Sequence, residues 1–319
     1  MHDANLHQAI QKQLRGMSPV DDWPELAELI DRAVTARSRP CWEYPGAACT
    51  AVGGQAQAAL PGAAAIFCLL ASIYLVDDLL DEDPKGLYHQ VGHGKAANIA
   101  LAFQAMAGLV IEEADLSELA RADVQGCVAK IAMDTAYGQD LDTREICGEA
   151  DYWRAVATKT PPLFGGALEI GAILGGAPEY RRVLLELGVM IGKLVQVSDD
   201  LKDALETPAH PDWKSRNNNL ALLFALTAEH PYRGRFEALV PQVFDSSEAL
   251  HEAQELLVHC GAASYCTYQI VETFKAAKAH LQEAKLPSPE PLVEILEAHI
   301  RPARTLIESV AGPEASALL

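Results

Sequence analysis

The chain has 319 residues, 50% of them hydrophobic, 22% charged and 6% aromatic, a content that fits a packed core and excludes a disordered chain. Lys and Arg number 25 against 44 Asp and Glu, a formal net charge of −19, and so acidic a surface repels nucleic acid and anionic lipid, so neither is expected as a partner. Seven cysteines with no CxxC pair and no Cys/His cluster at zinc spacing read as free thiols of a reducing, cytoplasmic compartment. No signal peptide is expected, because the first residues lack a basic start and an apolar run. The most apolar stretch, Ala63 to Val76, is too short for a membrane span.

Ala, Leu, Glu and Gln dominate and β-branched runs are scarce, so the pattern predicts helices almost throughout. Leu26, Leu29 and Ile30 recur at helical spacing ahead of the Arg39-Pro40 break. Pro61-Gly62 opens a long apolar helix running to about Leu80, stopped by Asp83-Pro84-Lys85-Gly86. Further helices are predicted over 95–113, 118–142, 150–174 and 178–205, then a loop from Glu206 to Asn219. The three asparagines that end the loop, Asn217 to Asn219, suit a helix N-cap. Helices resume over 220–229, 246–258, 262–284 and 289–309. No repeat and no composition break divides the chain, so one all-α domain of about ten helices over residues 1–319 is expected.

Two segments carry the chemistry: Asp77-Asp78-Leu-Leu-Asp81 and Asp199-Asp200-Leu-Lys202-Asp203, each closing an apolar helix and lying about 120 residues apart. The first and last aspartates of each are four apart, on one helix face, where like charges repel and do nothing for the helix. A single such motif is as readily a solvated acidic helix end. Two copies, each on a helix aimed into a core, are better read as a pair of carboxylate faces. Carboxylates without Cys or His suit hard cations, above all Mg²⁺, which completes its shell with water and phosphate oxygens. Such a metal would stabilise a diphosphate leaving group as a Lewis acid.

With these motifs the chain resembles the trans-isoprenyl diphosphate synthase (polyprenyl synthetase) family of the class I terpenoid synthase superfamily. Gly138-Gln139 followed by Asp142, Lys159-Thr160, and Gln196 three residues before Asp199 resemble further motifs of that family, over about residues 37 to 220. The resemblance implies a helical bundle of the isoprenoid synthase type with a central active-site cavity, and a homodimer. It implies three Mg²⁺ ions with Asp77, Asp81 and Asp199 as principal ligands and Asp78, Asp200 and Asp203 as nearby or water-mediated partners. It also implies that Lys159 binds an allylic prenyl diphosphate, and that Gln139 and Gln196 face the developing carbocation or order the waters at the metals. Phe67, Ser72, Ile73 and Tyr74 would line the prenyl-tail pocket; Ser72 and Ile73 are not bulky aromatics, which implies a tail of C20 or longer. Trp42 and Tyr44 either lend ring faces to a cation or, more simply, anchor the core.

The chain departs from the family where a second diphosphate, that of isopentenyl diphosphate, is held. Arg39 matches, but Ala36 stands in a lysine position and Leu70 in a histidine position. In place of an Arg-Arg-Gly after the first motif there is only Pro84-Lys85-Gly86. Lys85, Lys214 and Arg216 are the cations left to compensate. Several charge-assisted contacts are thereby lost, each worth about 1.5–3 kcal/mol. The sequence reading therefore puts first a Mg²⁺-dependent ionisation of one prenyl diphosphate followed by cyclisation, hydroxylation or deprotonation. Chain elongation is its alternative, with irregular coupling of two allylic units as a third and a regulatory subunit of a prenyl synthase as the non-enzymatic reading.

Overall fold

The computed structural model describes residues 3–34, 41–83, 85–144, 146–215 and 218–311; Arg39, Arg216 and Asn217 lie outside them. The described residues are helical, as the sequence predicts. In chain order the helices are α1 (Asp3–Arg15), α2 (Pro24–Val34), α3 (Tyr44–Ala51), α4 (Leu60–Leu80), α5 (Tyr88–Val91), α6 (His93–Glu112), α7 (Glu118–Asp142) and α8 (Glu149–Lys159). They continue with α9 (Pro161–Leu174), α10 (Arg181–Leu205), α11 (Asp212–Ser215), α12 (Leu220–Thr227), α13 (Arg233–Leu239), α14 (Ser247–His259), α15 (Ala262–Glu283) and α16 (Glu290–Ala311). The single helix expected over 150–174 is two, because Pro161 and Pro162 cannot continue α8 but suit the first turn of α9.

By their internal contacts the residues form two compact units. The first comprises 1–136, 162–189 and 280–294, and the second 137–161, 190–279 and 295–319.

In the first unit α4 is apolar on every side from Gly62 to Leu70, and each of these residues is buried. A helix of that kind has to be surrounded, and α4 packs along α6 through Ile99, Phe103, Ala107 and Ile111. Its run of alanines (Ala63, Ala64, Ala65) leaves room for close approach, and Trp42, Phe67 and Phe103 form an edge-to-face row. Both α4 with its approach (Ala56–Leu80) and α6 are long and apolar enough to cross a membrane by length and composition. The mostly buried α4 is a core helix here. It surfaces at Tyr74 and in its last turn, and the chain then reverses through Glu82 at φ 53. The first aspartate motif sits where α4 leaves the core.

In the second unit the same logic governs the end of α10. Ile191, Leu194, Val197, Leu201 and Ala204 are buried and give the helix a continuous inner face. Asn219 caps α12, its side chain accepting from the backbone N–H groups of Ala221 and Leu222.

Candidate functional site

In the first unit, Asp77 and Asp78 in the last turn of α4 are half-buried and Asp81, the residue that caps it, is exposed. Burial, then the charges of Asp83 and Asp77, push the Asp78 carboxyl above the ordinary aspartate range, against a hydrogen bond from the Leu87 backbone. Lys85 is exposed, and its backbone N–H donates to Asp83 Oδ1 at 2.7 Å. Of the residues expected along the prenyl tail, Phe67 and Ser72 are buried, Ile73 is half-buried and Tyr74 is 60% exposed. Trp42 and Tyr44 are both buried, Trp42 edge-on to Phe67 at 5.1 Å and Tyr44 edge-on to Phe164 at 5.5 Å, the anchoring arrangement.

The second unit brings together the ends of α7, α8 and α10 and the loop before α12. Two glycines permit this. A Cβ on Gly138 would stand 2.4 Å from the carbonyl of Thr158, and one on Gly192 would stand 2.6 Å from Pro161 Cα. Helices α7 and α10 thus both approach the α8–α9 junction at backbone distance, which sets Gln139 and Asp142 beside Lys159 and Thr160.

The α10 motif presents two faces. Gln196 and Asp200, four apart, point toward α8. The Asp200 carboxylate is 2% exposed and accepts from Tyr152 Oη at 2.6 Å, the Leu220 backbone N–H at 2.7 Å and Gln196 Nε2 at 2.9 Å. Gln196 Oε1 in turn accepts from Thr160 Oγ1 at 2.6 Å. The sequence reading groups Asp200 with the metal carboxylates and Gln196 with the carbocation. In the structure three protein donors occupy Asp200, and the Gln196 amide bridges Thr160 and Asp200, so both tie α8, α10 and α12 together. Burial pushes the Asp200 pKa up to about 7 despite its donors, and burial with Asp200 beside it holds Tyr152 neutral, well above its ordinary value.

Asp199 and Asp203 form the other face. Asp199 is exposed, yet the protein atoms crowding its carboxyl, and then the Asp203 charge, push its pKa up to about 6. Burial also raises Asp203. Beside them the loop supplies His210, with Nδ1 2.9 Å from Asp212 Oδ1 and Nε2 4.0 Å from Asp203 Oδ2. Asp212 is pushed up by burial but ends below its ordinary value through hydrogen bonds from His210 and Asn219. Lys159 pairs with Asp142 at 2.5 Å, and Asn218 donates to the Asp142 backbone carbonyl. Gln139 is buried, 5% exposed. The Lys214 ammonium lies over the Phe244 ring, 5.6 Å from its centre.

Of the expected residues, Gln139, Lys159, Gln196, Asp199, Asp200, Asp203 and Lys214 belong to the second unit, while Asp77, Asp78, Asp81 and Lys85 belong to the first. Tyr152, His210 and Asp212 escaped the sequence reading. Tyr152 stands two helical turns before Lys159, a same-face spacing that could have pointed to it. Chemically, crowded carboxylates whose protons are held too tightly are groups that a divalent cation relieves. The carboxylate oxygens fit a hard dication such as Mg²⁺.

The family model described as Polyprenyl synthetase matches residues 37–257. The chain is 28% identical over 253 residues to a geranylgeranyl diphosphate synthase of Methanosarcina mazei, covering 73% of this chain and 76% of that protein. It is 33% identical over 217 residues to the large subunit 2 of a heterodimeric geranylgeranyl pyrophosphate synthase of Arabidopsis thaliana, covering 61% and 57%. Among solved structures, a geranylgeranyl pyrophosphate synthetase of Pyrococcus horikoshii superposes with a TM-score of 0.80 at 20% identity, over 93% of this chain and 96% of the other.

Proposed function

The chain belongs to the polyprenyl synthetase family, and from that membership we propose that this enzyme carries out chain elongation: it ionises an allylic prenyl diphosphate and joins the prenyl group to isopentenyl diphosphate. The observation that carries the reading is the retained acidic machinery within a match to geranylgeranyl diphosphate synthases that spans most of the chain. Elongation, the alternative in the sequence reading, thereby moves ahead of cyclisation.

Asp77, Asp78 and Asp81 at the end of α4 and Asp199 and Asp203 on α10 are the side chains that would hold Mg²⁺, three ions by family resemblance. Mg²⁺ when bound draws charge from the departing diphosphate. Lys159 binds diphosphate oxygens by exchanging or sharing its Asp142 partner, a charge-assisted contact. Asp200, fixed by Tyr152, Gln196 and Leu220, holds the register of α10 so that Asp199 and Asp203 keep their face. Gln139, buried where α7 meets α8, is placed to orient groups at the allylic carbon. Ser72 and Ile73 leave the prenyl-tail wall of α4 without a bulky aromatic at those positions, which supports products of C20 or longer.

One observation favours cyclisation as a second reading: Leu70, buried on α4, offers an isopentenyl diphosphate no donor where the family has a histidine. A second copy of the chain is the partner we assign. Leu101 and Leu109 of α6 and Leu119 and Met133 of α7, all in the first unit and 47–74% exposed, support it. Incubation of the enzyme with Mg²⁺ and allylic diphosphates, with and without isopentenyl diphosphate, tests the reading. Longer diphosphates formed only when isopentenyl diphosphate is present are expected.

A further inference from the structure

Among the described residues, His210 brings an imidazole to the acidic end of α10, and its surroundings fix what it can do. Its Nδ1 faces Asp212 Oδ1 at 2.9 Å, while the other Asp212 oxygen accepts from Asn219 Nδ2 at 2.9 Å. Asn219 is itself fully buried, capping α12 and donating to the Asp200 backbone carbonyl at 2.7 Å. Asp212 is therefore an acceptor tied to the α12 cap through Asn219. A carboxylate on Nδ1 sets the ring plane and turns Nε2 outward, the way metal-bound histidines are oriented. The hydrogen bond to Asp212 and the nearby Asp203 and Glu206 charges favour the protonated ring, so an ion at Nε2 has to displace a proton.

That Nε2 points to Asp203, 4.0 Å from Oδ2. One ion bonded at about 2.1 Å to each atom spans this separation. Ligand atoms of Asp203, His210 and Asp212 all lie within 4.8 Å of one another. An all-oxygen site suits Mg²⁺, whereas an imidazole shifts preference toward first-row transition ions.

We propose that His210 Nε2 and Asp203 bind one divalent transition-metal ion, with Asp212 as the positioning residue that holds the imidazole for it. The proposal rests on the reading of the α10 aspartates as metal ligands and adds what that reading leaves open, a nitrogen-bearing position that prefers Mn²⁺ or Co²⁺ to Mg²⁺. Its role in the reaction is that of a metal ligand that tunes ion choice.

Mn²⁺ is the probe, added to the metal-free full chain with inorganic diphosphate, and pulsed electron paramagnetic resonance reads nitrogen coupled to the ion. The wild type is expected to show nitrogen modulation, and His210→Ala is expected to lose it and to bind Mn²⁺ at least tenfold more weakly, with Mg²⁺ affinity changed less than twofold. Asp212→Asn keeps the imidazole but loosens its orientation, and is expected to weaken Mn²⁺ binding by about 10–100-fold. Urea midpoints of the metal-free variants within error of wild type confirm that the fold is intact. Mn²⁺ bound to the wild type without nitrogen modulation, or bound as tightly by His210→Ala, overturns the proposal and leaves the aspartate ligands standing. Failure of the wild type to bind either ion with diphosphate present overturns both.

Discussion

Replacing Tyr152 by Phe isolates one hydrogen bond in the hub that holds α10. The hydroxyl lies 2.6 Å from Asp200 Oδ2, both residues are buried, and the substitution opens no cavity at the ring. Asp200 keeps the Leu220 N–H and Gln196 donors, so the loss is that of one bond to a buried carboxylate, about 1.5–3 kcal/mol when the group is ionised. The Asp200 pKa of about 7 makes the loss depend on pH. At pH 8 the carboxylate is charged and the full amount is expected. At pH 5.5 it is protonated, and a neutral hydrogen bond is worth about 0.5–1.5 kcal/mol. Urea unfolding of wild type and Tyr152→Phe at the two pH values measures both numbers. A loss below about 0.5 kcal/mol at pH 8, or the same loss at both, would refute the reasoning that Tyr152 holds an ionised Asp200.

Other expectations follow from the same geometry. Gly138→Ala places a Cβ 2.4 Å from the Thr158 carbonyl; displacing α8 is expected to cost about 1–3 kcal/mol of stability by urea titration and to lower diphosphate release at least tenfold by moving Lys159. Asp199→Asn should cut the metal-dependent rate by about 10²–10³-fold while leaving the metal-free urea midpoint at pH 8 no lower, since it removes a charge crowded by Asp203. Asp199 and Asp200 have folded pKa values raised to about 6 and about 7. Their contribution to stability is therefore fully present below the unfolded aspartate value near 3.9 and is lost as pH rises through 6 to 7. The metal-free enzyme should accordingly resist urea better at pH 5.5 than at pH 8. Mg²⁺ with diphosphate should reverse that order, because ligand carboxylates have to give up their protons.

The fold was legible because its signals are local. The long apolar run before Asp77 is a core helix ending at Leu80 as expected, and proline placement marks most breaks. The helix expected over 150–174 failed at Pro161-Pro162, where two prolines open a helix as readily as they stop one. The stretch expected as a loop, Glu206 to Asn219, holds the short helix α11, and α1 and α13 were not foreseen. The acidic motifs were legible as well, since a spacing of four fixes a shared helix face. What they leave unsaid is which carboxylate turns inward. Asp199 and Asp200 look alike in sequence, and only the arrival of Tyr152 from 48 residues upstream and Leu220 from 20 downstream separates a solvent-facing aspartate from a buried one. His210 lies in a loop and Asp212 opens the one-turn helix α11, so neither has a period to read. Their meaning comes from Asn219, which the sequence marks only as a cap. The role of Lys214 was argued from loop position alone, and its ammonium rests over Phe244.

The central claim is prenyl transfer to isopentenyl diphosphate, and one product analysis tests it most directly. Purified enzyme with Mg²⁺, farnesyl or geranylgeranyl diphosphate and labelled isopentenyl diphosphate should yield label in a prenyl diphosphate of C20 or longer, with no turnover of the allylic substrate when isopentenyl diphosphate is left out. Release of diphosphate with an unlabelled hydrocarbon or alcohol, at the same rate whether or not isopentenyl diphosphate is added, would contradict it.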